Sequence, residues 1–239
     1  MRIRTRVLGT DTGPGIIDSR SPATSVSASG VATPGDNYDR VGAVTMGIVA
    51  GFGACIAYPL LAATPHSWST AAAVFAASFG PLLGATAWGF REFVTLDRRR
   101  LSADLGAVSY ALAGALLTAM VMVQSAIRAT NEDPADDLRA VWLGLDVAWD
   151  VYLGLGTILF SLSAWGHPRL GRVLGITGLL LSGAFLALNL GTFPTPPDEE
   201  GLVDLGPFIG LWYFVVTLMM LRALGWARER SRGLKKVHP

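Results

Sequence analysis

Six apolar segments constrain this chain more than any other feature, because each has the roughly 20 residues needed to cross a ~30 Å hydrocarbon core. They are Val41–Ala62, Thr70–Phe90, Leu105–Ile127, Ala140–Trp165, Leu170–Phe193 and Leu205–Leu224. Backbone polar groups in lipid must bond within their own segment, which predicts an α-helix for each. Composition agrees, since 15% of the residues are charged, against about 25% in soluble domains. The sequence predicts an all-α, polytopic membrane helical bundle with six transmembrane helices.

The basic residues fall almost entirely on one side of these segments. If both termini share a side, that side carries all 19 Lys and Arg residues except Arg128 and Arg139. Positive charge is retained in the cytoplasm, so both termini are predicted to be cytoplasmic. A missed or invented segment would have scrambled this partition, which supports the count of six.

The predicted organisation is a six-helix transmembrane domain at residues 40–225 between two cytoplasmic tails. Residues 1–39 are rich in Ser, Thr, Gly and Pro and lack the apolar core of a signal peptide, which predicts a disordered tail. Residues 226–239 form a basic tail that either contacts anionic lipid or enforces topology. The lipid bilayer is the expected partner. Nucleic-acid binding is not expected, because no fold remains to present such a surface.

Two aspartates interrupt the fourth segment, where LGLDVAWDVYLGLG places Asp146 and Asp150 in an apolar run. At 1.5 Å per residue, Asp150 lies about 15 Å below Ala140, near the bilayer midplane. An ionised carboxylate there costs roughly 2.5–3.5 kcal/mol. The polar and small residues of this segment recur on one side of the helix: Asp146, Asp150, Gly154, Thr157 and Ser161. This stripe is predicted to face other helices or a wet cavity.

The predicted site is an outward-opening polar pocket around these two carboxylates. Four more polar residues lie at the same outer level: Gln124 and Arg128 on the third segment, Asn189 on the fifth and Asp204 at the start of the sixth. Arg128 is expected to pair with Asp146, with Asp150 deeper and protonated. The alternative is a structural polar network whose acids are permanently paired and which holds the helices together.

The sequence offers no pattern for a catalytic, metal or cofactor site inside the bundle. The histidines His66, His167 and His238 all fall in loops or the tail, so no haem pair or zinc triad fits among the helices. The serine of LLLSG has no intramembrane histidine to activate it. TDTGPG near the N-terminus follows no strand and is no phosphate loop. No catalytic residue, metal or cofactor is therefore predicted.

Small residues four apart let transmembrane backbones approach closely, and such faces also suit a homo-oligomer. The pairs are Gly47–Gly51, Gly80–Gly84, Gly171–Gly175 and Gly206–Gly210. Cys55 is the single cysteine. It excludes an intrachain disulfide and is expected to pack as a small apolar residue.

Three kinds of function remain open. The leading hypothesis is binding or transport of a small molecule or ion through the pocket around Asp146 and Asp150. An accessory or scaffold protein would need only the small-residue faces, and its carboxylates could be replaced without loss. A membrane-embedded enzyme would need a nucleophile and a base converging on the pocket, and the sequence shows neither.

From Trp149 the chain reads WDVYLGLGTILFSLSAWGHPRLGRVLGITGLLLSGAFLALNLGTFPTPP and then GLVDLGPFIGLWY. This resembles the small six-helix bacterial integral membrane proteins grouped as domains of unknown function. The shared features fall on Asp150 in the fourth helix, on Pro168-Arg169 with Gly171 in a short loop, and on Asn189 late in the fifth helix. The resemblance covers roughly the last 90 residues. It implies the six-helix fold and the bacterial inner membrane, and it implies no particular activity.

Overall fold

The apolar segments are α-helices in the computed structural model, which describes residues 39–63, 74, 77–130, 136–197 and 200–237. The helices are α1 Arg40–Ala63, α2 Phe79–Thr95, α3 Leu101–Thr130, α4 Asp136–Ala164, α5 Gly171–Gly191, α6 Gly206–Arg222 and α7 Leu224–Val237. No strand occurs among the described residues, so the predicted all-α class is confirmed for them. The predicted N-terminal tail lies outside these residues, apart from Asp39.

Several of these helices are long and apolar enough to cross a membrane. Four helices meet this condition of length and hydropathy alone, namely α1, α3, α4 and α5. A fifth span results if α6 and α7 are counted together, although this pair is bent by 55°. The second predicted span, Thr70–Phe90, begins in residues outside the described part. Helix α2 contains residues 79–90 of this span. The described residues thus hold four or five candidate spans.

The helices pack in chain order and close into a ring. From α1 to α5, each helix packs against the next, and α6 packs against both α5 and α1. The short connections between α2 and α3 and between α4 and α5 make these two pairs antiparallel neighbours. After the break at Ala223, α7 turns away from the axis of α6 and packs against α1 and α6. Because lipid surrounds such a ring, polar side chains are best accommodated towards its centre.

Glycines let the backbones of neighbouring helices touch within the ring. A Cβ added to Gly47 of α1 would lie 2.5 Å from the Cα of Gly89 on α2. Gly80 of α2 and Gly114 of α3 approach each other in the same way. Two of the small-residue faces singled out from the sequence therefore pack against helices of the same chain.

An ionic cluster joins the ends of α1, α2 and α3 that lie away from Asp146. Glu92 is only 3% exposed, and its carboxylate accepts hydrogen bonds from Arg40 Nε at 2.8 Å and from Arg91. Arg91 Nε also donates to Asp104 Oδ1 at 2.7 Å. On sequence alone, Arg91 counts merely as cytoplasmic positive charge. In the fold it helps to hold three helix ends together.

Candidate functional site

A cavity of about 1110 Å³ lies inside the ring, at the end where α2, α4 and α6 begin. Its walls come from α1, α2, α3, α4 and α6 and from the connection that precedes α6. Pockets that bind drug-sized molecules have volumes of roughly 300–1,000 Å³. The cavity is therefore large enough for an organic ligand and not only for an ion.

Three carboxylates are the charged groups among the described residues that line this cavity. Asp146 and Asp150 lie one turn apart on α4, and both are half-buried. Asp204 precedes α6, and its Oδ1 accepts a hydrogen bond from the N–H of Gly206 at 2.7 Å. Neither Asp146 nor Asp150 is without a partner in the protein. Three of the six residues selected from the sequence thus lie on one cavity.

The polar stripe of α4 continues from the cavity into the packed interior. Gly154 packs against Leu186 of α5, where a Cβ would approach the leucine side chain to 2.7 Å. Thr157 and Ser161 are fully buried. The hydroxyls of Thr157 and Tyr110 of α3 are hydrogen-bonded at 2.5 Å. The prediction that this stripe faces other helices or a cavity is confirmed.

Aromatic rings contribute much of the remaining wall. Phe79 of α2 meets Trp149 of α4 edge-on, with ring centroids 6.1 Å apart. Phe52 of α1 meets Phe214 of α6 in the same manner, at 5.9 Å. Aromatic faces carry a negative quadrupole, so they attract cations as well as apolar groups.

Two tyrosines lie where α3 and α6 reach the cavity. Tyr110 and Tyr213 stack with their centroids 5.2 Å apart. Tyr213 OH donates a hydrogen bond to Leu83 O at 3.3 Å, and Tyr110 OH is bonded to Thr157. The protein thus engages both hydroxyls, and the two tyrosines line the cavity while being almost fully buried.

Of the other three residues selected from the sequence, Gln124 and Asn189 do not line the cavity. Gln124 is half-buried on α3. Asn189 is buried on α5, where its Nδ2 donates to Phe185 O at 3.1 Å and its Oδ1 has no hydrogen-bond partner within the described part of the chain. Arg128 belongs to α3, but its side chain lies outside the described residues, so the Arg128–Asp146 ion pair stays a prediction.

Sequence reasoning missed the aromatic lining and Cys55, which also lines the cavity. Each of these residues is an ordinary apolar residue in an apolar helix, so its spacing gives no signal. A weak signal exists for Trp149, because it directly precedes Asp150 in the chain. The rings of α1, α2 and α6 become visible only once the helices are packed.

Among the residues that the structure describes, the cavity carboxylates do not combine with other side chains into a metal-binding group. In the ranges that the structure describes, no group of three or more His, Cys, Asp or Glu could hold a metal ion. A hard cation such as Ca²⁺ takes about six to eight oxygen ligands. Charge and ring faces together suit an organic cation better than a coordinated metal.

At the opposite end of the bundle, His167 is a buried histidine in the connection between α4 and α5. Its ring packs against Phe93 of α2 at 5.1 Å and against Trp226 of α7 at 5.2 Å, measured between centroids. The sequence places His167 in a loop but gives no sign that the loop is covered. Helix α7 supplies that cover.

Acidification is expected to destabilise the protein through His167. Burial lowers the pKa of His167 from 6.5 to about 4. Asp97 opposes this shift, and the charges of Arg100 and Arg169 add to it. Because the unfolded state binds the proton more readily, the stabilisation is complete above pH 6.5 and is lost as the pH falls towards 4. Between pH 7 and pH 5 the loss should be about 2 kcal/mol.

Thermal unfolding of the wild type and of His167→Phe in detergent measures this loss. Phenylalanine fits the aromatic surroundings and cannot titrate, so the variant should lose about 2 kcal/mol less than the wild type between the two pH values. Carboxylates shared by both proteins cancel in the comparison. Equal acid losses would show that His167 is protonated as easily in the folded as in the unfolded protein.

Comparison of the chain with family models, with curated proteins and with solved structures gives no match in any of the three. The candidate membrane-spanning helices support its assignment to the α-helical membrane proteins. The cavity is therefore the feature of the molecule that bears most directly on its function.

Proposed function

We propose that this chain is a multi-pass protein of the bacterial inner membrane with six transmembrane helices and both termini in the cytoplasm. The support is the partition of charge, since Arg91 and the basic residues 98–100 lie at one end of the ring and the cavity lies towards the other. The span that completes the six is the second in chain order, Thr70–Phe90. The cavity then opens towards the outside, and the surrounding partner is lipid.

Cysteine labelling is expected to find the α2–α3 connection inside and the α3–α4 connection outside. In a Cys55→Ala background, a membrane-impermeant maleimide should label Ala135→Cys in intact cells. It should label Arg98→Cys only after permeabilisation, because positive charge keeps that connection in the cytoplasm. The opposite labelling pattern would refute the orientation and, with it, an outward-opening cavity.

We further propose that the cavity binds a small organic cation with an apolar body, either for transport or for sensing. The single observation behind this proposal is that Asp146, Asp150 and Asp204 share one cavity with several aromatic rings. Carboxylates inside membrane spans are costly, which makes a functional role their default interpretation. A cation over an aromatic face gains about 0.5–2 kcal/mol, and the carboxylates supply the opposite charge.

Two other roles explain the same residues differently. In a scaffold protein, the carboxylates would form a structural network with their protein partners, and no ligand would be needed. In a membrane enzyme, a nucleophile would have to act in the pocket, and the thiol of Cys55 or one of the lining carboxylates would have to take that role. The resemblance to six-helix proteins of unknown function is compatible with each role. A direct binding measurement separates them.

Asp150→Asn is expected to weaken the binding of tetraphenylphosphonium by about tenfold, because a bound cation favours the ionised carboxylate and an amide cannot supply that charge. The measurement is equilibrium binding to the purified protein in an uncharged detergent. Tetraphenylborate has the same shape and the opposite charge, so it should bind much more weakly to the wild type. The folded yield of Asp150→Asn should stay close to that of the wild type.

Glu229→Gln provides the matched control, since Glu229 is an exposed carboxylate on α7 and does not line the cavity. It should leave tetraphenylphosphonium binding unchanged. Equal binding of the cation and the anion would contradict a cation site. A sharp fall in the folded yield of both Asp146→Asn and Asp150→Asn would instead favour the structural network.

A further inference from the structure

Three parts of the chain meet at the end of the ring opposite the cavity: the α2–α3 connection, the α4–α5 connection and α7. Trp226 of α7 lies against His167, and the guanidinium of Arg169 lies over the Trp226 ring at 5.9 Å. Arg230 Nε donates to Leu96 O at 3.4 Å, which ties α7 to the α2–α3 connection. Basic side chains from three segments are thereby concentrated in one region.

Arg100, in the α2–α3 connection, differs from the other basic residues of this region because its side chain is buried. Its side chain is only 8% exposed, and its Nε and Nη2 have no hydrogen-bond partner among the described residues. The nearest carboxylate oxygen, on Asp97, is 4.0 Å from Nη2, too far for a hydrogen bond. A buried guanidinium with unsatisfied donors is costly unless something accepts from it.

His167 offers a second unsatisfied donor in the same region. Its Nδ1 accepts a hydrogen bond from the backbone N–H of Arg169 at 3.3 Å, so the neutral ring carries its proton on Nε2. His167 is 1% exposed, and Nε2 has no hydrogen-bond partner in the described part of the chain. Two buried side chains from two connections thus lack acceptors.

The region around Arg100 and His167 also carries more positive than negative charge. Asp97 lies 4.0 Å from Arg100 and 3.9 Å from Arg230 without reaching hydrogen-bond distance to either. Arg169 adds a third guanidinium. One carboxylate, Asp97, and two guanidiniums, Arg100 and Arg169, thus act on His167, and an anion would reduce this excess of positive charge.

We propose that this end of the bundle binds a phosphate-bearing anion between Arg100, His167 and Arg169. The guanidinium fork matches phosphate oxygens, and a phosphate can accept from several donors at once. The anion would be the phosphate of a lipid headgroup or a free phosphate. This proposal does not depend on the cation-binding cavity, which lies at the other end of the ring.

The test uses the full chain in an uncharged maltoside detergent and records the midpoint of thermal unfolding. One arm adds dioctanoyl-phosphatidylglycerol, with dioctanoylglycerol as the same acyl chains without phosphate. A second arm adds sodium phosphate, with sodium chloride at equal ionic strength. The wild type should be stabilised by a phosphate-bearing compound beyond its control. A larger effect of the lipid would identify a headgroup, and a larger effect of sodium phosphate would identify the free anion.

Arg100→Gln should require about tenfold more of that compound for the same shift, because it removes a charged donor pair. Without added anion, this variant should unfold no earlier than the wild type, since the unsatisfied charge is gone. Arg99→Gln is the matched control, because its side chain is 86% exposed. Its response should stay within about twofold of the wild type, as expected for a solvated charge.

Three results would overturn the proposal. One is the absence of any stabilisation by either phosphate compound beyond its control. Another is an equal loss in Arg99→Gln and Arg100→Gln, which would indicate general attraction to a basic surface. If Arg100→Gln does not fold, Arg169→Gln takes its place in the test, because Arg169 is exposed. The third contradicting result would then be an unchanged response of Arg169→Gln to the phosphate compound.

Discussion

Glu92→Gln is expected to destabilise the protein by about 3–5 kcal/mol, because it removes one partner from a buried ionic cluster. The substitution leaves Arg40 and Arg91 without the carboxylate that accepts from both. Glu92 is almost fully buried, so little water reaches its position, and the guanidiniums of Arg40 and Arg91, which are 29% and 22% exposed, are only partly hydrated in its place. The cluster joins α1 to α2, and the loss should appear as a lower midpoint of unfolding in detergent.

Asp104→Asn serves as the comparison within the same cluster. Asp104 also accepts from Arg91, at 2.7 Å, but it is 27% exposed. A partly solvated pair contributes less, so this variant should lose about 1 kcal/mol or less. If the two substitutions were equally damaging, the burial of Glu92 would not be what makes it important.

The long helices could be predicted because lipid leaves the backbone little choice. The segment Leu105–Ile127 falls within α3, and Leu170–Phe193 differs from α5 by only one or two residues at each end. In both cases a continuous apolar run dictates a helix, whatever it packs against. Helix ends depend on caps and neighbours, so they shift by a few residues.

Helix α7 is harder to predict from its own residues than the long apolar helices are. The stretch Leu224–Val237 is strongly basic, and by itself it reads as a solvated tail. Its helix is stabilised by contacts with residues far away in sequence, such as Phe93, 5.5 Å from Trp226 between ring centroids. Burial of Ala227 belongs to the same packing. Its apolar residues Leu224, Ala227 and Leu234 do recur at helical spacing, but the basic residues between them do not show which part of the fold they pack against.

The sequence could identify site residues from two quantities only, namely the free-energy cost of placing a carboxylate in an apolar helix and the depth of a residue along that helix. A carboxylate in an apolar run is costly wherever it points, and this identifies Asp146 and Asp150. Depth along a helix follows from 1.5 Å per residue, whereas direction changes by about 100° per residue. Gln124 and Asn189 were selected by depth alone, and the amide of Asn189 donates back to its own helix. Side-chain direction requires the packed neighbours.

Gly89→Ala is expected to cost about 3 kcal/mol, at the upper end of the range for overpacking. The new Cβ would lie 2.5 Å from the Cα of Gly47 and 2.9 Å from Ala43 O, both backbone atoms of α1. A backbone cannot rotate away as a flexible side chain can, so α1 and α2 would have to separate. The Arg40–Glu92 bond at 2.8 Å resists that movement at one end of the helix pair.

Gly183→Ala is the matched control, because the same substitution is made where space is available. Gly183 lies on the exposed surface of α5, and an added Cβ meets nothing within 4 Å in the described structure. Alanine is a better helix former than glycine, so this variant should be more stable by about 0.5–1 kcal/mol. The two substitutions should thus shift unfolding in opposite directions. A shift of both in the same direction would mean that the close α1–α2 contact at Gly47 does not form.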